Sequence, residues 1–385
     1  MWKKVLCMLL AIGIMAPVFP KMTLGADAGI RSDAKAYVLI DSESGNMILG
    51  QNEQEPLACD SLVKSMSLLI VLEALERGEI SLSDKVNISK EAASKGGTQV
   101  FLDAGQPYDV NSLLKACLVC SANDAMTALA EHVAGSEAAF VQKMNARAQE
   151  MGLSSSTFTN CTGLKDEAQK ASALDIAKIS AQIVKYQICL KYSSIWMDTF
   201  VHNDGRETEM INSNKLVKQV KGTDGLMTGS SAEGGYSGVA TKKGMSGRFI
   251  CVVIGAKNSS SRFQTCIDAL NYAEANYLSK RIVAQGELVK KNVPIADGRV
   301  KELNVYAKDD FSTLIPKEQA NSVEKQIVLS EQIQAPLKKG DEVGSILITL
   351  DGKEIGKVPI IVNEDVEENT FQHCMKRVLY SWLFE

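Results

Sequence analysis

Histidine is nearly missing from this sequence. The chain holds three, His132, His202 and His373, far apart and in no metal-ligand spacing. That argues against a zinc hydrolase, and no metal or other cofactor is expected. An excess of either charge is missing too. The 42 basic and 46 acidic side chains leave a formal net charge of −4, which gives no basic footprint for a nucleic-acid partner. Short internal repeats and low-complexity tracts are absent. Strands and helices do not alternate one by one, which removes a parallel βαβ sheet.

What is there begins with an export signal. Lys3 and Lys4 precede an apolar run from Val5 to Val18, and the small residues Gly25, Ala26 and Ala28 follow. The run is short for a spanning helix, so residues 1–28 read as a signal peptide that is removed. The working chain is then extracytoplasmic. It carries eight further cysteines, at 59, 117, 120, 161, 189, 251, 266 and 374, beyond Cys7 in the signal. A chain of 385 residues has enough core to need no disulfide staples. Cys117 and Cys120 lie in the helical pattern "SLLKACLVC" with no second pair at zinc-site spacing. Buried free thiols, acting as small hydrophobes, are expected.

Coarse patterning predicts an α+β chain. Residues 35–51 read as a hairpin around Ser-Gly-Asn. Ser61 opens a helix stopped by Gly78, and its apolar residues from Leu68 to Leu75 cover more than one face, so it is buried. Two helices over 110–134 meet at Ser121-Ala122-Asn123. Another ends at Gly152, and helical signal returns over 172–186. From 222 the period changes to three glycine-separated strands, followed by a helix at about 262–279. Residues 281–363 read as a separate all-β domain in which Asp351-Gly352 makes a two-residue hairpin turn. The last stretch, 364–385, is an acidic linker and an amphipathic helix. Phe371, Val378, Leu379, Trp382 and Leu383 share a face, with Lys376 and Arg377 opposite, a pattern suited to a membrane surface.

Three short motifs stand in order: Ser61-Leu62-Val63-Lys64, Ser121-Ala122-Asn123 and Met227-Thr228-Gly229. Taken singly they are ordinary caps and turns. Together they resemble the S-x-x-K, S-x-N and K-T-G elements of the penicillin-recognising serine acyltransferases. The flanking stretches "LVCSANDAMTALAEHVAGS", "FVQKMNARAQEMGLSSSTFTNCTGL" and "VKGTDGLMTGSSAEGGYSGVATKKG" narrow the likeness. They are similar to those of low-molecular-weight penicillin-binding proteins, the D-alanyl-D-alanine carboxypeptidases of the S11 peptidase family.

The resemblance implies a β-lactamase/transpeptidase-like domain over 29–280, an antiparallel sheet flanked by helices. The small all-β domain and the amphipathic C-terminal helix fit the same layout. It implies a peptidoglycan stem peptide as substrate and β-lactams as covalent inhibitors. Ser61 is then the nucleophile and Lys64 its base, since positions i and i+3 share a helix face. Ser121 relays a proton to the leaving amine, and Asn123 holds Lys64 and the substrate amide. The backbone N–H groups of Ser61 and Ser230 form the oxyanion hole. Thr228 and Gly229 line the substrate strand.

The sequence also departs from the family. Met227 stands where the family has lysine, so the cation facing the substrate carboxylate is lost. Cys59 and Asp60 replace the usual proline and alanine before the nucleophile, and Asp60 sets a negative charge beside the site unless it turns away as a cap. Arg262, in "GAKNSSSRF", is expected to hold the carboxylate bidentately instead. A slow carboxypeptidase is the expectation. The alternative is a catalytically impaired relative that binds peptidoglycan or a protein partner. A β-lactamase is disfavoured because E-x-x-L-N is missing.

Overall fold

The computed structural model describes residues 29–384, so the expected signal peptide lies outside the described residues. A five-stranded antiparallel sheet organises the first part. Its strands run in the order Met47–Gln51, Ala36–Asp41, Gly247–Ala256, Gly235–Gly244 and Thr223–Ser231. The first two form the expected hairpin. Every residue of Ala36–Asp41 is buried, because the strand is paired on both edges and covered on both faces. The motif strand, Thr223–Ser231, lies at the open edge of this sheet.

Helices cover the two faces. On one, the helix Ser259–Asn276 packs through Phe263, Cys266, Ala269, Leu270 and Ala273 against Leu39, Phe249, Cys251 and Val253. It begins and ends about three residues earlier than expected. Asn258 and Ser261 close a capping box at its start, and the chain turns into a strand at Tyr277. On the other face sits the main apolar core, with the helix Lys64–Glu76 at its centre. Ten of its 13 residues are buried. Each large apolar side chain so buried stabilises the fold by about 1.5–3 kcal/mol. The helices Val110–Val119, Asn123–Ala134, Glu137–Glu150 and Ala173–Ile183 surround it.

Ser61 does not itself start the α-helix. It lies in a 3₁₀ turn, Asp60–Val63, and the α-helix begins at Lys64. The tighter turn follows from Asp60, whose φ of +47° breaks helical geometry just before the nucleophile. Gly78, at φ +68°, ends the helix as expected. One element escaped the periodicity reading altogether, the hairpin of Met197–Val201 with Glu207–Ile211. Its alternation places Phe200 and Met210 inward but leaves Met197, Val201 and Ile211 exposed, so no clean period-2 signal results.

The second part has its own core around Ile282, Val305, Ile348 and Ile360. Its main sheet runs Leu288–Pro294, Glu302–Ala307, Lys353–Val362, Glu342–Leu350 and Val323–Leu329. Leu350 pairs with Lys353 across Asp351 and Gly352, both at positive φ, which is the two-residue turn expected from Asp-Gly. The strand Tyr277–Val283 contributes Tyr277 to the sheet–helix core of the first part and Ile282 to the core of the second. The boundary expected at residue 281 therefore falls inside a strand.

The tail forms a helix, Phe371–Phe384. Phe371 is 79% exposed and Trp382 86%, and Val378 and Leu379 are also exposed, so these apolar side chains are not spent on the protein's own core. No described helix is long and apolar enough to cross a membrane. Seven of the eight described cysteines are buried free thiols; Cys374, on the tail helix, is the half-exposed one.

Candidate active site

The three motifs converge below the edge of the main sheet. The Asp60–Val63 turn carries Ser61, half-exposed, directly beneath the motif strand. A Cβ at Gly229 would sit 2.9 Å from the Ser61 nitrogen and 3.3 Å from its Cβ. Glycine is therefore required for the strand to cross the nucleophile this closely.

Lys64 is 1% exposed. Burial pushes its ammonium down to about 8, against a smaller upward pull from the thiols of Cys117, Cys161 and Cys120. The amine is thereby tuned towards a base at near-neutral pH. Ser121 lies at the join of the helices Val110–Val119 and Asn123–Ala134 in the left-handed region, at φ +61°. Such backbone is costly for a side chain larger than glycine and gathers at functional sites. Its Oγ is buried and without a hydrogen-bond partner among the described residues, and so is Oδ1 of Asn123. Asn123 is held from its other end, where Nδ2 donates to the Gly96 carbonyl at 2.7 Å. Two buried polar atoms at this helix join are thus left open, an arrangement that calls for a partner.

On the motif strand, Thr228 Oγ1 donates to Ser213 Oγ at 2.7 Å. Met227 is 5% exposed and packs in the main apolar core. The position offers the site no charge. Ser230, directly after Gly229, is partnered with Tyr236 on the neighbouring strand.

One expectation needs correction. Arg262 does not present a free fork. Its guanidinium is 5% exposed behind the motif strand, where Nη1 donates to the carbonyls of Gly229 (3.3 Å) and Ser237 (3.0 Å) and Nη2 to Ser259 Oγ (3.1 Å). It braces the strand with these three bonds, while its Nε is buried without a partner among the described residues. Of the two alternatives left for Asp60, a charge beside the site or a cap, the cap is not formed: Cys59 is the N-cap residue and no side chain bonds there. The Asp60 carboxyl tucks under the hairpin turn at Ser231 and Gly234. Burial pushes its pKa up, Glu233 adds to this, and the Ser231 hydroxyl and Lys35 oppose it. Its Oδ2 is buried without a partner among the described residues.

Several supporting residues were not found from sequence. Gly163 is the clearest. At φ +80° it lies against the backbone of the nucleophile, so a Cβ there would sit 2.9 Å from Ser61 Cα. Asn160 shapes this loop by accepting from Thr162 N (3.1 Å) and Gly163 N (2.7 Å). Ser213 lies between Asn212 and Asn214, buried asparagines whose amides tie the Ser193, Ile195 and Gly225 carbonyls together. A tight Asn-Ser-Asn between two strands was the one available signal.

The family model for D-alanyl-D-alanine carboxypeptidase, peptidase S11, matches residues 22–258. The chain belongs to the S11 peptidase family. The model for the penicillin-binding protein 5 C-terminal domain matches residues 277–368. Among S11 relatives, D-alanyl-D-alanine carboxypeptidase DacF of Bacillus subtilis is 34% identical over 97% of each chain. DacC of Escherichia coli is 34% identical over 88% of this chain and 86% of its own. The solved structure of penicillin binding protein 5 from Haemophilus influenzae superimposes with a TM-score of 0.76, at 31% identity, over 88% of this chain and 98% of that one. Penicillin-binding protein D2 of Listeria monocytogenes in its cefotaxime-bound form matches at 25% identity and a TM-score of 0.57, over 63% of this chain and 98% of its own.

Proposed function

We propose that this chain is a serine-type D-alanyl-D-alanine carboxypeptidase that trims peptidoglycan stem peptides through an acyl-Ser61 intermediate, slowed by Met227. The observation that carries the reading is the buried Lys64 amine, lowered to about 8 and one turn from Ser61, with Ser121 Oγ and Asn123 Oδ1 buried and open at the start of a helix packed against its own. Lys64 takes the Ser61 proton as Oγ attacks the carbonyl of the penultimate D-alanine. The oxyanion is received by the N–H groups of Ser61 and Ser230. The peptide C–N bond breaks, Ser121 passes a proton to the departing amine, and D-alanine leaves. Water then attacks the ester, with Lys64 again as base, and frees Ser61. Intact-mass spectrometry after benzylpenicillin treatment tests this: one adduct on the native protein and none on Ser61→Ala. An adduct that persists in Ser61→Ala, or maps to Ser121, overturns the assignment.

Met227 favours the second reading, an impaired relative that binds stems without turnover. The two readings separate on Met227→Lys. Restoring a cation opposite the substrate carboxylate supplies a charge-assisted contact of about 1.5–3 kcal/mol, so turnover of a D-Ala-D-Ala peptide should rise at least tenfold. A revertant no faster than the native protein, with no penicillin adduct on either, supports the impaired reading.

The exposed apolar face of the tail, with Phe371, Val378, Leu379 and Trp382, supports a peripheral place on the outer face of the cytoplasmic membrane. Lys376 and Arg377 add attraction to anionic lipid. The mature protein should float with anionic liposomes and lose flotation when residues 367–385 are removed. Equal flotation of both forms would sink the tail as an anchor.

A further inference from the structure

Two loops hold the chemistry in place, and neither carries a motif residue. One is Lys95-Gly96-Gly97-Thr98. The Gly96 carbonyl accepts from Asn123 Nδ2, and the Thr98 carbonyl accepts from the Asn123 backbone N–H at 2.7 Å. Gly97 lies so close that a Cβ there would meet Asn123 Nδ2 at 2.6 Å. The other is Asn160–Leu164, whose Gly163 seats the Ser61 backbone. These loops are far apart in sequence but share one anchor, Glu137, in the first turn of the helix Glu137–Glu150.

Glu137 Oε1 accepts from the Cys161 N–H and from its thiol, both at 3.1 Å. Glu137 Oε2 pairs with Lys95 Nζ at 2.5 Å. The pair is mostly buried, at 18% exposure for the Lys95 side chain and 13% for Glu137. Burial alone would raise the Glu137 carboxyl, but bonds from Lys95 and Cys161 hold it below its ordinary range. Cys161 is tied in further, since its carbonyl accepts from Ser67 Oγ at 2.8 Å on the Lys64 helix. Lys95 has a second partner, Glu91 at 3.2 Å, but that carboxylate is 63% exposed and contributes little.

We propose that the Lys95–Glu137 ion pair sets the spacing of Asn123 against Ser61 and Lys64, making both members positioning residues for acylation. Through Glu137, which also accepts from Cys161, it links the loop that grips Asn123 to the loop that seats Ser61. A buried pair adds little stability over an apolar replacement of similar size, so its value lies in where it puts the two loops. Reaction geometry is sensitive on this scale, since misplacement by about 1 Å costs on the order of 10²-fold. The inference rests on the acyl-serine reading.

The test compares Lys95→Met, Glu137→Gln, their double variant and the exchanged pair Lys95→Glu/Glu137→Lys. Each is followed by benzylpenicillin acylation, split into binding and acylation steps, and by Tm. Either single change leaves a buried charge alone and should lower both Tm and acylation. The double variant is decisive, because it removes both charges and should recover Tm. Its acylation step should stay at least tenfold slow while penicillin binding changes less than threefold. Recovery of the acylation step together with Tm would reduce the pair to a structural contact and overturn the proposal. The exchanged pair should regain part of the lost rate. A second readout needs no turnover: exchange protection of the Asn123 amide should fall at least tenfold in the double variant, with the amides of residues 342–362 unchanged. Unaltered Asn123 protection overturns the proposal even if the native protein proves inert to penicillin, an outcome that would count separately against the acyl-serine reading.

Discussion

Lys64→Met should slow acylation of Ser61 by about 10²–10⁴-fold, the usual contribution of a positioned base, and at the same time make the protein more stable at neutral pH. The two effects have one origin. Burial has moved the amine from 10.5 to about 8. Below pH 8 both the folded and unfolded chains hold the proton, and the fold bears the full cost of an interior ammonium. Between 8 and 10.5 the folded chain has released a proton that the unfolded chain keeps, so stability rises with pH; above that range the cost is gone. A shift of this size corresponds to about 3 kcal/mol, which methionine, apolar and of similar length, escapes. Thermal unfolding at pH 7 and pH 10 should show the variant ahead at the lower pH and level at the higher. In the native protein the acylation rate should climb about tenfold per pH unit and flatten near 8. A variant both slower and less stable at pH 7 would mean that methionine damages packing, and the rate loss could not then be laid to the missing base.

Gly163→Ala should remove activity without touching any reacting atom. The new methyl group would lie 2.6 Å from the Asp60 carbonyl carbon and 2.9 Å from Ser61 Cα, both backbone atoms that have no rotamer to give. The φ of +80° adds about 1–2 kcal/mol of strain for any residue with a Cβ. Relief requires the loop or the nucleophile turn to shift by several tenths of an ångström, and a displacement near 1 Å lowers the acylation step by on the order of 10²-fold. Penicillin acylation kinetics alongside circular dichroism would check it. A folded variant that acylates at the native rate would show that the loop yields and does not position Ser61.

The elements with strong periodicity were legible in the sequence. The first hairpin, the buried helix after Ser61, the helix join at Ser121-Ala122-Asn123 and the three strands from 222 all stand close to where pattern and turn residues put them. So were the motif residues, because a lysine three positions beyond a serine, and a serine two before an asparagine, are local facts. What stayed hidden depends on contacts distant in sequence. Nothing near Gly163 announces that it lies under residue 61, and the tie from Glu137 to Lys95 spans 42 positions. Arg262 was misjudged for the same reason. Its place beside the strand was readable, but its commitment to the Gly229 and Ser237 carbonyls was not. For Asp60 the sequence left a charge beside the site or a cap, and neither foresaw the positive φ and the tuck of the carboxylate under Gly234.

The distribution of cysteines gives the molecule a built-in handle. Burial raises the thiols of Cys59, Cys117, Cys120, Cys161 and Cys189, and both burial and the neighbouring Cys266 raise Cys251, so few of these sulfurs ionise and all are shielded from reagents. Cys374 alone among the described thiols reaches solvent, and it sits on the tail helix, three residues past the exposed Phe371. A maleimide dye or spin label added to folded protein produced without residues 1–28, which include Cys7, would therefore settle at that one place. The reporter would stand on the segment proposed to meet the bilayer, so its signal with and without anionic liposomes would test that proposal with no engineered residue.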